Sequence, residues 1–302
     1  MTNTIEPTHF SYRARDGQNI AAYRWDPVDT ARGVVQLTHG MGEHVRRYDA
    51  FAGALNARGF TVYGQDHRGH GASAATQDTL GQLGAQGWSE LVNDINLLAS
   101  HIQQRQPGLP LVLFGHSMGS FAVQQYLLDH GERVAAVALT GTAAIDLLEP
   151  ALDLEAELDL AMFNAAFAPA RTDYDWLSRD PDQVDAYIAD PRCGFGLDKA
   201  AVKAMFAAAR PLAEPARMAA IRSDLPLYVA VGEADPVNGN MALVNVLVER
   251  YRAAGLADVT LRCYPGARHE ILNETNRAEV TEDLLRWLER VVPAPASAAR
   301  AG

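Results

Sequence analysis

The apolar run Leu109-Pro110-Leu111-Val112-Leu113-Phe114 gives way to a helix-like stretch, Phe121-Ala122-Val123-Gln124-Gln125-Tyr126-Leu127-Leu128, across the pentapeptide Gly115-His116-Ser117-Met118-Gly119. A strand that becomes a helix within five residues must turn sharply. The glycines two residues before and two after the serine have a steric reason, because a Cβ at either position would crowd the neighbouring strand and helix. Ser117 is thereby expected in strained backbone with its hydroxyl facing outward, as in a nucleophile elbow. A G-x-S-x-G match is weak by itself; the strand before it, the helix after it and the partners further along the chain give it meaning.

The chain has 302 residues, 48% of them hydrophobic, enough for one large domain with an insertion or for two small ones. No run approaches the ~18 consecutive apolar residues of a membrane span. The segment Met1-Thr2-Asn3-Thr4-Ile5-Glu6-Pro7 lacks the basic region and apolar core of a signal peptide. A cytoplasmic protein without a stable membrane anchor is expected, with transient contact with lipid surfaces left open. Two cysteines, Cys193 and Cys263, rule out a disulfide framework and a cysteine-based zinc site of the usual four-ligand kind, and both are expected as buried, reduced fillers. The formal charge of −11 disfavours nucleic acid and anionic membrane surfaces as partners. Residues 143–215 hold 14 acidic and 6 basic residues, a net −8 of that total.

Residues 8–15 and 20–25 flank Asp16-Gly17 and predict an antiparallel hairpin. Beyond it, strands are expected at 34–38, 60–64, 109–114, 134–139, 225–231 and 259–264. Helices are expected at 48–57, 88–105, 117–130, 241–254 and 277–292. Such alternation argues for an α/β protein with a mainly parallel sheet covered on both faces. Together with the elbow this is the α/β-hydrolase arrangement. The alternation fails over 143–215, which is read as a helical cap or lid; Leu158 and Met162, Phe163 and Phe167, and Val202, Met205 and Phe206 fall at helical spacing there. The catalytic body is then 1–142 with 216–295, and 296–302 is expected to be a disordered tail.

Serine needs a base to take its proton and an acid to orient that base. In this fold the order along the chain is serine, acid, histidine. Only His130 and His269 follow Ser117 among nine histidines, and His130 ends the elbow helix, facing away from its start. That leaves His269, in the turn after the last expected strand. The acid should end the preceding strand, which selects Asp235 over Asp224, at the strand's wrong end, and over Glu233, in the turn itself. Attack on an ester carbonyl builds negative charge on oxygen, which backbone N–H groups stabilise. One such group is the amide of Met118, after the nucleophile; the other is that of Met41, in His39-Gly40-Met41-Gly42-Glu43-His44.

These segments, with Arg47-Tyr48, Asp66-His67-Arg68-Gly69-His70-Gly71-Ala72-Ser73, Gly232-Glu233-Ala234-Asp235-Pro236 and Gly266-Ala267-Arg268-His269-Glu270, carry a family likeness. Over about 34–142 and 224–292 the chain resembles monoacylglycerol lipases and related lysophospholipases, which are α/β-hydrolase-fold serine hydrolases. The resemblance implies a Ser117–Asp235–His269 triad and an oxyanion hole made by the amides of Met41 and Met118. It also implies that Glu43 and Arg47 shape the pocket for a glycerol or other alcohol leaving group; an ion pair bracing the loop is the alternative. His39, His67 and His70 are expected as hydrogen-bonding props. Ser120 departs from the glycine usual after such elbows. The expected activity is hydrolysis of a neutral acyl ester, such as a monoacylglycerol, through an acyl-enzyme that needs no metal or organic cofactor. The same triad would also serve a broader carboxylesterase, a lysophospholipase or an aminopeptidase, and a receptor on this fold would need the triad broken.

Overall fold

A computed structural model describes residues 6–155 and 160–294; Leu158 and the expected tail lie outside the described residues. The chain opens with an antiparallel hairpin, β1 (Thr8–Arg13) against β2 (Asn19–Trp25), turning through Gly17 at φ +87°. Six further strands follow: β3 (Gly33–Thr38), β4 (Phe60–Gln65), β5 (Leu111–His116), β6 (Ala136–Thr140), β7 (Leu227–Gly232) and β8 (Val259–Tyr264). All eight join one sheet in the order β1-β2-β4-β3-β5-β6-β7-β8, antiparallel up to β4 and parallel from there to β8.

Among the described residues eight α-helices flank or extend this sheet: α1 (Asp49–Ala57), α2 (Gly87–Arg105), α3 (Met118–His130), α4 (Pro181–Ala189), α5 (Lys199–Ala209), α6 (Pro215–Met218), α7 (Ala242–Ala253) and α8 (Arg277–Val291). Strands β3 to β7 are buried along their whole length and mostly apolar on both faces, as a doubly covered parallel sheet requires. Leu111 and Leu113 of β5 enter the core shared with α2, α3 and α7, while Val112 and Phe114 enter the core shared with α1 and α8. Among the described residues, no helix is long and apolar enough to cross a membrane.

Strands β5 and β7 begin two residues later than their apolar runs suggest, just after Pro110 and Pro226. Proline has no N–H to give a ladder. Its carbonyl still serves, accepting from Val34 N at 2.9 Å (Pro110) and from Val137 N at 3.0 Å (Pro226). Between β6 and β7 the described residues form no strand: α4, α5 and α6 are joined by 3₁₀ turns. Leu160–Phe167, whose spacing suggests an α-helix, is a 3₁₀ stretch. The Asn164 side chain donates to Thr172 O at 2.7 Å and accepts from Trp176 N at 2.8 Å. It thereby follows the loop folded onto it instead of extending a helical ladder. Both cysteines are unpaired and half-buried, less enclosed than the expected fillers, because one lies in a loop of the insertion and the other on the edge strand β8.

Ser117 sits between β5 and α3 with φ +51° and ψ −124°, a conformation that side chains rarely adopt. A Cβ on Gly115 would lie 2.8 Å from Ser120 Cα, and one on Gly119 only 2.3 Å from Thr38 O and 2.5 Å from His39 O. The first glycine admits the helix's own first turn, the second the end of β3. Ser120 is buried and uses its hydroxyl, donating to Ser117 O at 2.6 Å and lying 2.8 Å from Thr142 Oγ1. The serine in place of glycine therefore ties the elbow to the segment after β6.

Gly119→Ala is expected to lose at least about 3 kcal/mol of stability through overpacking against backbone that has no room to yield. Gly53→Ala on α1, where a Cβ meets no heavy atom within 4 Å, is expected to gain about 0.5–1 kcal/mol. Urea unfolding of both variants checks the pair.

Candidate active site

Strands β5, β7 and β8 run parallel, so the segments that follow them emerge on one edge of the sheet, where ligands of open α/β sheets gather. They carry Ser117, Asp235 and His269. Asp235 is fully buried at the head of a 3₁₀ turn, and its Oδ1 accepts from Val237 N at 2.9 Å. That leaves Oδ2, which lies 2.9 Å from His269 Nδ1. A carboxylate only accepts, so Nδ1 carries the proton and Nε2 is left as the basic nitrogen. The rival acids do not compete, since Glu233 and Asp224 are both exposed. His130 is at the far end of α3, as expected.

His269 is itself buried, and neighbours on both sides hold its ring. The ring centroid lies 4.9 Å from that of His116 and 4.9 Å from that of Trp176. Gly141, at φ +53°, makes room: a Cβ there would meet His116 Cε1 at 2.8 Å and His269 Cε1 at 2.9 Å. Burial opposes protonation of His269, but the charge of Asp235 and its hydrogen bond, with further help from Glu270 and Glu43, lift the imidazole above its ordinary 6.5. His116 moves the other way, to about 3, through burial and then the charge of His269.

Met118 heads α3, where first-turn N–H groups lack an intrahelical acceptor and the helix dipole favours negative charge. Among the described residues, neither its amide nor that of Met41 finds an acceptor. The Met41 loop is held from beneath. Glu43 Oε1 accepts from Gly40 N at 2.6 Å and from the Tyr48 hydroxyl at 2.8 Å, while Oε2 accepts from Arg47 Nη1 at 2.7 Å. Arg47 also grips Glu270 with two bonds of 2.6 and 2.7 Å. Burial alone would raise the Glu270 carboxyl; the Arg47 charge and hydrogen bonds override it and bring it down to about 2. Glu43 goes the other way, raised by burial despite Arg47. One buried cation thus joins the Met41 loop to the residue beside His269. His39 supports the same loop, its Nδ1 2.8 Å from Gly40 O and its Nε2 accepting from His67 N at 2.9 Å. His70 Nδ1 lies 3.0 Å from Arg68 O, whereas the ring nitrogens of His67 find no partner among the described residues.

Ser117, His269, Met41, Met118 and Glu43 line one cavity. Arg47 is not among its lining residues; it lies behind Glu43. Much of the wall comes from the stretch after β6, including Ile145, Leu148, Leu160, Phe163 and Leu177, with Met205 and Phe206 of α5. That stretch is also fastened to the histidine loop. Glu270 N donates to Leu177 O at 2.8 Å, Ser178 Oγ to Asn273 O at 2.8 Å, and Arg268 to Asp175 O.

A doubly covered parallel sheet with a serine elbow and an acid–histidine pair at its carboxyl edge defines an α/β-hydrolase. The family described as serine aminopeptidase, S33, matches residues 29–276, and the chain belongs to that family. The chain is 34% identical to a monoacylglycerol lipase of Mycolicibacterium smegmatis, over 95% of its own length and 99% of the relative's. It is 29% identical to a monoglyceride lipase of Mus musculus, over 95% and 91%. Among solved structures, a highly thermostable carboxyl esterase from Bacillus coagulans, in complex with glycerol, superposes with a TM-score of 0.85 at 27% identity, covering 96% of this chain and all of that one.

Sequence reading missed Trp176, Gly141 and the part played by Glu270. A glycine directly after the β6 strand was the available signal for Gly141, and a carboxylate beside His269 for Glu270; Trp176 had none. Replacing Arg47 by Met is expected to leave two carboxylates buried without their cation and to cost about 3–5 kcal/mol, read from thermal unfolding. Glu270 is depressed below its unfolded value, so its contribution to stability is present above about pH 4.5 and is lost as pH falls toward 2. In the Arg47→Met variant burial raises Glu270 instead, so that acid-side loss is expected to vanish and stability to increase as pH falls toward 4.5.

Proposed function

We propose that this protein hydrolyses carboxylic esters, with monoacylglycerols or similar neutral acyl esters as substrates. Ser117 is the nucleophile, His269 the general base and then acid, and Asp235 the carboxylate that orients it. The observation that carries this reading is a single apolar cavity that receives both the strained Ser117 and the Asp235-oriented His269. The relatives named as monoacylglycerol lipases support the substrate class.

In the reaction, His269 Nε2 takes the Ser117 proton as Oγ attacks the ester carbonyl, and Asp235 stabilises the imidazolium. The amides of Met41 and Met118 hold the oxyanion. The alcohol leaves with the proton from His269, and water then cleaves the acyl-enzyme by the same steps. Residues 143–215 act as a cap over the body formed by 1–142 and 216–295, supplying the apolar wall for the acyl chain. Their acidic surplus disfavours anionic esters. For Glu43 and Arg47 the hydrogen bonds favour bracing of the Met41 loop over contact with the leaving group. The two unpaired cysteines suit the cytoplasm as its compartment.

A panel of monoacylglycerols, p-nitrophenyl acyl esters, lysophospholipids and aminoacyl amides tests the substrate class. Turnover of the first two is expected, and preference for the amides or lysophospholipids would overturn it. A fluorophosphonate probe should label the wild type and spare Ser117→Ala; absence of labelling would refute the nucleophile. The base must be neutral to act, and its pKa is raised, so kcat/KM should fall as pH drops through an apparent value above 6.5. Asp235→Asn removes the charge that raises it, and should lower kcat by about 10³–10⁴-fold.

A further inference from the structure

We propose that His44, Asp190 and Cys193 bind a soft divalent cation, Zn²⁺ in particular, that fastens the insertion to the loop carrying Met41. Their imidazole nitrogen, carboxylate oxygen and thiol sulfur all lie within 4.8 Å of one another. A mixed nitrogen, oxygen and sulfur set is one that zinc accepts and that magnesium or calcium does not. None of the three belongs to the Ser117–Asp235–His269 set, and the proposal does not depend on what that set hydrolyses.

The ligands stand on backbone that is already held. Asp190-Pro191-Arg192-Cys193 forms a turn closed by Cys193 N donating to Asp190 O at 3.0 Å, with aspartate and proline in the positions that favour it. Arg192 N occupies Asp190 Oδ1 at 2.8 Å, which leaves Oδ2 facing His44 Nε2 at 2.9 Å. Two bonds clip this region to the His44 side: Gly194 N donates to Gly42 O at 3.0 Å and the Tyr187 hydroxyl donates to the same oxygen at 2.8 Å. Nitrogen and oxygen ligands about 2.0 Å from a tetrahedral zinc stand about 3.3 Å apart. The His44–Asp190 pair needs to open by only a few tenths of an ångström, and rotation of the Cys193 side chain must bring Sγ, now within 4.8 Å of both, to about 3.5 Å from them, with water completing the fourth position beside the half-buried Asp190 and Cys193.

The proton balance is explicit. Zinc forms a bond to Cys193 Sγ and the thiol proton leaves to solvent; the His44 ring binds through Nε2 in its neutral form, with its proton on Nδ1. No electron is transferred. Thiolate and carboxylate together match the charge of the ion. Around Cys193 stand Arg47, Glu43, Asp190, Glu270 and Tyr187, around His44 stand Asp66, His39 and His70, and Arg192 stands near Asp190 and Asp66. The four carboxylates outnumber the two guanidinium groups in this shell. Because zinc displaces the thiol proton, binding should strengthen as pH rises.

The test is titration of the whole protein with ZnCl2 and, in parallel, with CoCl2. We expect one equivalent to raise Tm saturably, by about 3 °C, and cobalt to give the visible bands of a tetrahedral site with a thiolate charge-transfer band. Cys193→Ser and Asp190→Asn should each weaken binding at least about tenfold, while Cys263→Ser leaves it unchanged. Zinc affinity of the wild type should rise between pH 6 and pH 8, a readout that survives if a variant fails to fold. Absence of the thiolate band, binding indifferent to Cys193→Ser, or affinity independent of pH would overturn the proposal and leave His44 and Asp190 as a hydrogen-bonded pair only.

Discussion

Ser117 is held at φ +51° where a serine would ordinarily not stay, and the positions of the other site residues take their meaning from that strain. Such a residue costs on the order of 1–3 kcal/mol and persists only where its surroundings over-determine it. Here the surroundings are specific: Ser117 N donates to Thr140 O at 2.9 Å, and the two flanking glycines let β3 and the first turn of α3 close to distances that no Cβ would allow. The hydroxyl is thereby presented at the sheet's carboxyl edge, where the loops after β7 and β8 also arrive. Parallel pairing of β5, β6, β7 and β8 brings these ends together, so the strained turn and the sheet topology act as one device.

Around that point two buried charge systems divide the work. Asp235 faces His269 and sets its tautomer, while Arg47 neutralises Glu43 and Glu270 and joins the Met41 loop to the histidine loop. A buried charge is tolerated only when paired, and removal of one partner leaves the other exposed to its full desolvation penalty. The same loops are tied to the insertion through Leu177, Ser178 and Asp175. The residues that wall the cavity are thus mechanically continuous with the ring of His269. In the reading proposed above, the cap that receives an acyl chain is the element that also keeps the base in place.

Much of this was legible in the chain because it is local. The strand-to-helix turn, the pairing of Asp16-Gly17 with a hairpin and the apolar runs of the parallel strands all follow from sterics and from periodicity within a few residues. Asp235 and His269 were found by order and strand position, since a parallel sheet sends successive loops to one edge. The reading faltered where distant groups decide. Leu160–Phe167 has helical spacing but follows the Asn164 bonds to its neighbouring loop, and the prolines before β5 and β7 shift the strand starts while still feeding the ladder with their carbonyls.

The sequence by itself determined the α/β alternation, the elbow at Ser117 and the acid and histidine that stand after β7 and β8, because each is written in residues adjacent along the chain. Only the tertiary structure decided that Arg47 meets Glu270 from 223 residues away, that Trp176 and His116 flank the ring of His269, and that Glu43 faces the cavity while Arg47 stands behind it. Those contacts depend on how far each loop reaches across the sheet edge, and reach is set by packing against other elements, which no local pattern of residues records.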